Sequence, residues 1–156
     1  KKTYVEIDDP TTLHKGGCQG QMLRELTSLL KLYKKNHFPV LLSKNETEKY
    51  IYMNYCGQPL TDSNIPNDWK EQITEIVNIL KKCNISNNDM WLNNFLVNNN
   101  ILYLVDFGWA TETDDFPYVN ITESNITQYD NLLDLLGKTL VKEFKRRQMY
   151  RSCNED

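Results

Sequence analysis

The chain has 156 residues, 40% of them hydrophobic and 25% charged, and a formal net charge of -3. That length and balance suit one compact domain or two small lobes and exclude wholesale disorder, and the mild acidity leaves no general electrostatic case for binding nucleic acid or an acidic membrane. No apolar run approaches bilayer length and no signal-like succession opens the chain, so an intracellular protein is expected.

The first strand-like run is Tyr4, Val5 and Ile7, broken by Asp8, Asp9 and Pro10. A turn-rich stretch containing Lys15, Gly16, Gly17 and Gly20 follows. It feeds a helical pattern from about Gln19 to Lys35, in which Met22, Leu26, Leu29, Leu30 and Tyr33 recur at three and four residues. Glycines ahead of a helix can aim N-H groups at a phosphate, with Lys15 adding charge; the competing reading is a plain loop into a helix. Pro39 to Leu42 and Tyr50 to Tyr55, separated by polar residues 43-49, predict a hairpin. Pro66-Asn67-Asp68 is a helix-start signal, and Trp69, Ile73, Ile76, Val77 and Leu80 then share one face up to Lys81 and Lys82.

The densest chemistry lies in residues 84-110. Phe95 to Val97 and Ile101 to Val105 are apolar runs joined by Asn98, Asn99 and Asn100, residues that tolerate positive φ, so a second hairpin is predicted. Asp89 and Asn94 precede or open its first strand and Asp106 ends its second. Closing the hairpin brings Asn94 and Asp106 to one edge, where hard oxygen ligands could hold Mg²⁺ carrying a nucleotide phosphate. Beyond it an acidic, irregular segment is expected to about Thr127, then a last helix through Leu132, Leu136, Leu140 and Phe144 to Lys145-Arg146-Arg147.

The four cysteines, Cys18, Cys56, Cys83 and Cys153, are scattered without the close pairs of zinc sites and read as free thiols. Asn45, Asn84, Asn120 and Asn125 each begin an N-x-S/T triplet, a frequency that abundant Asn explains by chance. The chain opens at Lys1 without an initiator Met, as an excised fragment would.

Asp89, four residues, Asn94, a hairpin and then Asp106-Phe107-Gly108 resemble the catalytic loop and D-F-G segment of the protein kinase fold, in a form shortened from the serine/threonine kinases. The resemblance implies an α+β fold, a reduced bilobal kinase-like domain over 1-156. About 1-56 would be a small lobe of few strands and one helix, and 57-156 a partial, mostly helical large lobe. It implies ATP and Mg²⁺ as cofactors. Asp89 would orient the attacking hydroxyl and accept its proton, and Asn94 and Asp106 would hold the metal. Met53 would gate the adenine pocket, Asn54, Tyr55 and Cys56 would form the hinge, and Phe107 and Gly108 would border the nucleotide.

By the same resemblance Glu25 is the helix carboxylate that pairs with a strand Lys. Aligning the strand at Tyr4 to Ile7 puts Glu6 at the Lys position, which leaves Lys2 and Lys15 as the nearest phosphate contacts; the competing role for Glu25 is a surface carboxylate pairing with Arg24 or Lys31. Asn87 and Asn88 replace the family's His and Arg, and Trp91 stands where serine/threonine kinases carry Lys. Three functions follow: a phosphotransferase acting on a hydroxyl, with Ser/Thr of a protein first among acceptors; a non-catalytic kinase-like module that binds a partner, such as a partner kinase, or mimics a kinase lobe; and a purely structural assembly of β-hairpins and helices.

Overall fold

The computed structural model describes residues 1-4, 20-112 and 120-137. The fold is α+β, with two three-stranded antiparallel sheets. β1 (Lys2–Thr3), β2 (Leu41–Asn45) and β3 (Tyr50–Met53) form the first, in the order β1-β3-β2. β4 (Gln58–Pro59), β5 (Phe95–Asn98) and β6 (Ile101–Leu104) form the second, in chain order. Helix α1 (Gln21–Lys31) connects β1 to β2, α2 (Trp69–Lys82) connects β4 to β5, and α3 (Glu123–Gln128) follows the second sheet. Residues 132–137 are also helical. Among the described residues no helix is long and apolar enough to cross a membrane.

The described part of the first strand includes residues before its apolar run. Lys2 pairs with Ile51 and Thr3 with Tyr50, and the Tyr4 N-H continues the ladder to the Lys49 carbonyl at 2.8 Å. The strand residue that meets Glu25 and Asp106 is Lys2. Val5, Glu6, Ile7, Lys15 and the glycines Gly16 and Gly17 lie outside the described residues.

Helix α1 spans less than Gln19 to Lys35, starting after Gly20 in the left-handed conformation (φ 75). Its buried stripe is Met22, Glu25, Leu26, Ser28 and Leu29; Leu30 and Tyr33, expected on that face, are exposed. Helix α2 buries all five apolar residues of its predicted face. Asp68 caps its start, but with its carboxylate on Gln72 (2.8 Å) instead of a backbone N-H. Gln72 in turn receives the Leu102 N-H (2.8 Å) and donates to the Asn100 carbonyl (3.0 Å), so α2 is stitched to the hairpin through one buried amide.

The hairpin turns where the asparagines place it. Asn98 pairs with Ile101, and the two loop residues, Asn99 (φ 49) and Asn100 (φ 66), are both left-handed, as the twist-matched two-residue turn requires. Among the described residues no strand lies beside the far edge of β6. His37 covers it instead, taking the Leu104 N-H at its carbonyl (2.9 Å) and placing Nδ1 2.8 Å from the Leu102 carbonyl, with Nε2 2.9 Å from Glu75. A row of backbone groups that would cost free energy if buried unpaired is thereby satisfied by a loop.

One apolar cluster joins both sheets and the helices, through Leu29, Leu32, Phe38, Ile51, Ile73, Ile76, Phe95, Leu102 and Phe107 among others. Phe107 is fully buried, its ring 6.0 Å from that of Phe38, so the D-F-G segment is anchored in the core. The stretch expected to be irregular to Thr127 instead contains α3, because Thr122 and Asn125 form a reciprocal capping box. The predicted last helix is described only to 137; Leu140, Phe144 and the basic run lie beyond.

Candidate functional site

Hairpin closure places the Val105 N-H on the Asn94 carbonyl at 2.9 Å, which brings the start of β5 beside the residue before Asp106. Asn87 completes the junction: its Oδ1 accepts the Asp89 N-H (2.9 Å) and its Nδ2 donates to the Asp106 carbonyl (3.0 Å). One buried side chain therefore spans the loop carrying Asp89 and the segment carrying Asp106. The 3-10 turn Leu92–Asn94 aims Asn94 back at Asp89, with Nδ2 2.7 Å from the Asp89 carbonyl and 3.0 Å from its carboxylate Oδ2. Two acceptors on that side require the NH₂ there, so the carboxamide oxygen of Asn94 is turned away from Asp89.

A second group of residues converges on Asp106 from the other side. Lys2 Nζ lies 3.0 Å from Asp106 Oδ1 and also bonds Glu25 Oε1. Tyr4 donates its hydroxyl to the same Glu25 oxygen (2.8 Å), and the Phe107 N-H donates to Glu25 Oε2. Glu25 is thus almost wholly buried with three donors, which is what a desolvated carboxylate requires. It is not a surface carboxylate. Burial works against the Lys2 ammonium, but the charges and hydrogen bonds of Glu25 and Asp106 outweigh it and raise its pKa above the ordinary 10.5. Burial, reinforced by the Glu25 carboxylate, also pushes the Tyr4 phenol up, so it remains a donor.

Asp106 itself is left-handed (φ 68), an uncommon conformation for a residue with a side chain, and its Oδ1 accepts the Gly108 N-H at 3.1 Å. Arg24, next to Glu25 on α1, donates Nε-H to the Gly108 carbonyl and lies over the Trp109 ring, 5.8 Å from its centroid. Asn88 is also left-handed (φ 66). Its side chain donates to the Trp109 carbonyl (2.9 Å) and the Thr111 hydroxyl (2.8 Å), its backbone N-H donates to Asn120 Oδ1 (2.8 Å), and its own Oδ1 accepts from Asn120 Nδ2 (2.8 Å).

Among the described residues no three His, Cys, Asp or Glu side chains form a ready cage. Mg²⁺ does not need one: it is commonly held by one or two protein oxygens, water and phosphates. Asp106, whose side chain is 38% exposed, and the carboxamide oxygen of the buried Asn94, turned away from Asp89, are two such oxygens. Glu25, Asp89 and Asp106 also outnumber Lys2 and Arg24, leaving negative charge that a divalent ion offsets. The donor set therefore fits.

At the expected hinge, the Asn54 N-H bonds the Val40 carbonyl (3.1 Å) while its side chain accepts the Val40 N-H (2.8 Å), so this residue closes the first sheet. Met53 is half-buried against the core, Tyr55 is exposed, and the buried Cys56 thiol lies 3.6 Å from the Asn54 carbonyl. Burial pushes the Cys56 thiol up to about 11. Gly57 follows at φ 117, where a Cβ would meet the Val97 carbonyl oxygen at 2.1 Å; only glycine lets the chain pass from Cys56 into β4. Two cavities lined by described residues, of about 410 and 580 Å³, lie beside the 84-90 loop and beside Val40 and Asn54, and neither is lined by Asp89, Asn94 or Asp106.

The residues that sequence reasoning missed are Tyr4, Arg24, Asn87 and Trp109. The signal for Arg24 was its place beside Glu25; for Tyr4 and Asn87 only the folded register reveals a partner. No protein-family model matches the chain, and no curated protein is significantly similar to it.

Proposed function

We propose that the chain is a kinase-like phosphotransferase of reduced size that moves the γ-phosphate of ATP to a hydroxyl, with Ser or Thr of a protein as the first acceptor class. The observation that carries the reading is the convergence of Lys2, Glu25 and Asp106, contributed by a strand, a helix and the D-F-G turn that lie far apart in sequence. A strand cation paired to a helix carboxylate beside the metal-binding Asp is the arrangement that phosphoryl transfer requires in protein kinases. In this reading residues 1-56 act as the small lobe and 57-156 as a partial large lobe.

Asp106 and Asn94 would hold Mg²⁺, which when bound would supply positive charge against the phosphates of ATP. Lys2, kept cationic and aimed by Glu25, binds phosphate oxygen. Asp89 orients the acceptor hydroxyl and takes its proton as the new O-P bond forms and the bond to the departing ADP oxygen breaks. Little covalent help is needed, so positioning and charge supply most of the rate. Because Asn88 joins the loop to Trp109 and Thr111 with neutral hydrogen bonds, this site does not need phosphorylation to assemble.

One observation favours a second reading, a non-catalytic kinase-like module that binds a protein partner. Asp89 is only 3% exposed and its carboxylate is already engaged by Asn94, so access for an acceptor hydroxyl is restricted. Isothermal titration with ATP, with and without Mg²⁺, separates the two. The phosphotransferase binds ATP more tightly with metal, and Asp106→Ala removes that gain; Asp89→Ala keeps binding but loses transfer to added hydroxyl acceptors. A wild-type chain that binds no nucleotide supports the partner-binding module.

A further inference from the structure

We propose that Arg24 is a positioning residue, outside the catalytic-loop and D-F-G motifs, that holds the 106-108 turn so that Asp106 can take its metal, with Trp109 as its counter-surface. The inference rests on the phosphotransferase reading and adds to it the way the turn is held in place.

Two successive residues of α1 grip the turn with opposite polarity. Glu25 accepts the Phe107 N-H, and Arg24 donates to the Gly108 carbonyl. Between these grips the Gly108 N-H closes on Asp106 Oδ1, so rotation of any one of these peptide groups breaks a bond made by another. The turn needs such support because Asp106 occupies a left-handed conformation, unfavourable for a residue with a side chain unless its surroundings impose it. Packing is close as well: a Cβ on Gly108 would lie 3.2 Å from Asp106 Oδ1 and 3.5 Å from Gln21 Cγ.

The position of Arg24 on its helix supports a role beyond helix stability. It lies in the first turn of α1, which contains no acidic residue, and a cation there opposes the helix dipole. That unfavourable placement is offset by the Gly108 carbonyl and by the Trp109 face. Arginine suits both contacts because its planar fork can donate along one edge while it lies over a ring, and the lysine ammonium cannot do both.

The test titrates ATP, with and without Mg²⁺, into the full chain carrying Arg24→Met or Arg24→Lys, and follows quenching of Trp109 emission by acrylamide, using Trp109→Phe to isolate that signal. Arg24→Met should leave metal-free ATP affinity within about twofold of wild type, reduce the Mg²⁺-dependent gain by about tenfold, and make Trp109 more quenchable; Arg24→Lys should fall between. If Arg24→Met does not fold, the intermediate behaviour of Arg24→Lys decides. A wild-type-sized Mg²⁺ gain in the folded Arg24 variants, or equal losses with and without metal, overturns the proposal while the phosphotransferase reading stands. Absence of an Mg²⁺ gain in the wild type overturns both.

Discussion

Helices α1 and α2 both present apolar residues at helical spacing and end in lysine, but they bury different chemistry. α2 turns Trp69, Ile73, Ile76, Val77 and Leu80 inward, with Gln72 as its buried polar residue. α1 turns Glu25 inward at the centre of its stripe and leaves Leu23 and Leu30 67% and 63% exposed. Burying those leucines would have contributed about 2 kcal/mol each, whereas burying a carboxylate without partners costs several. The orientation of α1 is therefore explained by the donors that meet Glu25: Lys2, the Tyr4 hydroxyl and the Phe107 N-H. α2 builds the core, and α1 spends core area on a charge network.

The sharpest way to break that comparison is Glu25→Ala. It leaves the Tyr4 hydroxyl and a buried N-H without their acceptor and Lys2 with Asp106 alone, and we expect a loss of about 4 kcal/mol in urea unfolding, below the upper end for buried pairs because Lys2 is partly exposed and keeps its second carboxylate. The Mg²⁺-dependent part of ATP binding should disappear with it. A loss under about 1 kcal/mol would mean that Glu25 packs like any other residue. Ile76→Ala, fully buried in α2, should cost about 3 kcal/mol by the same measurement and leave the metal-dependent gain intact.

A pH titration gives a smaller, signed effect. Folding raises the Lys2 pKa, so its contribution is whole below the ordinary value of 10.5 and is lost as pH climbs through the raised one. The stability difference between wild type and Lys2→Met should therefore stay flat from neutrality to about pH 10 and shrink in stronger alkali. Lys81→Ala gives the smallest effect. Its 3.3 Å pair with Glu123 is exposed at both ends, and we expect at most about 0.5 kcal/mol.

Legibility in the sequence follows the range of the interaction. The Asn99-Asn100 turn and the buried face of α2 were readable because positive φ and helical spacing are local properties. The orientation of α1 was not: Leu30 and Tyr33 extend the same apolar spacing as Met22, Leu26 and Leu29, and spacing alone does not say that Glu25 will find three donors. The place of Lys2 was not legible because the apolar pattern points to Tyr4 to Ile7, and only ladder pairing with Ile51 and Tyr50 shows Lys2 and Thr3 to be strand as well.

The sequence alone determined the order of strands, helices and turns around Asp89, Asn94 and Asp106, since each of those features depends on neighbours a few residues away. Only the tertiary structure decided which cation meets Glu25 and which side chain spans Asp89 and Asp106. Lys2 and Asp106 stand 104 positions apart, and they meet only after two sheets and a helix have packed on a common core.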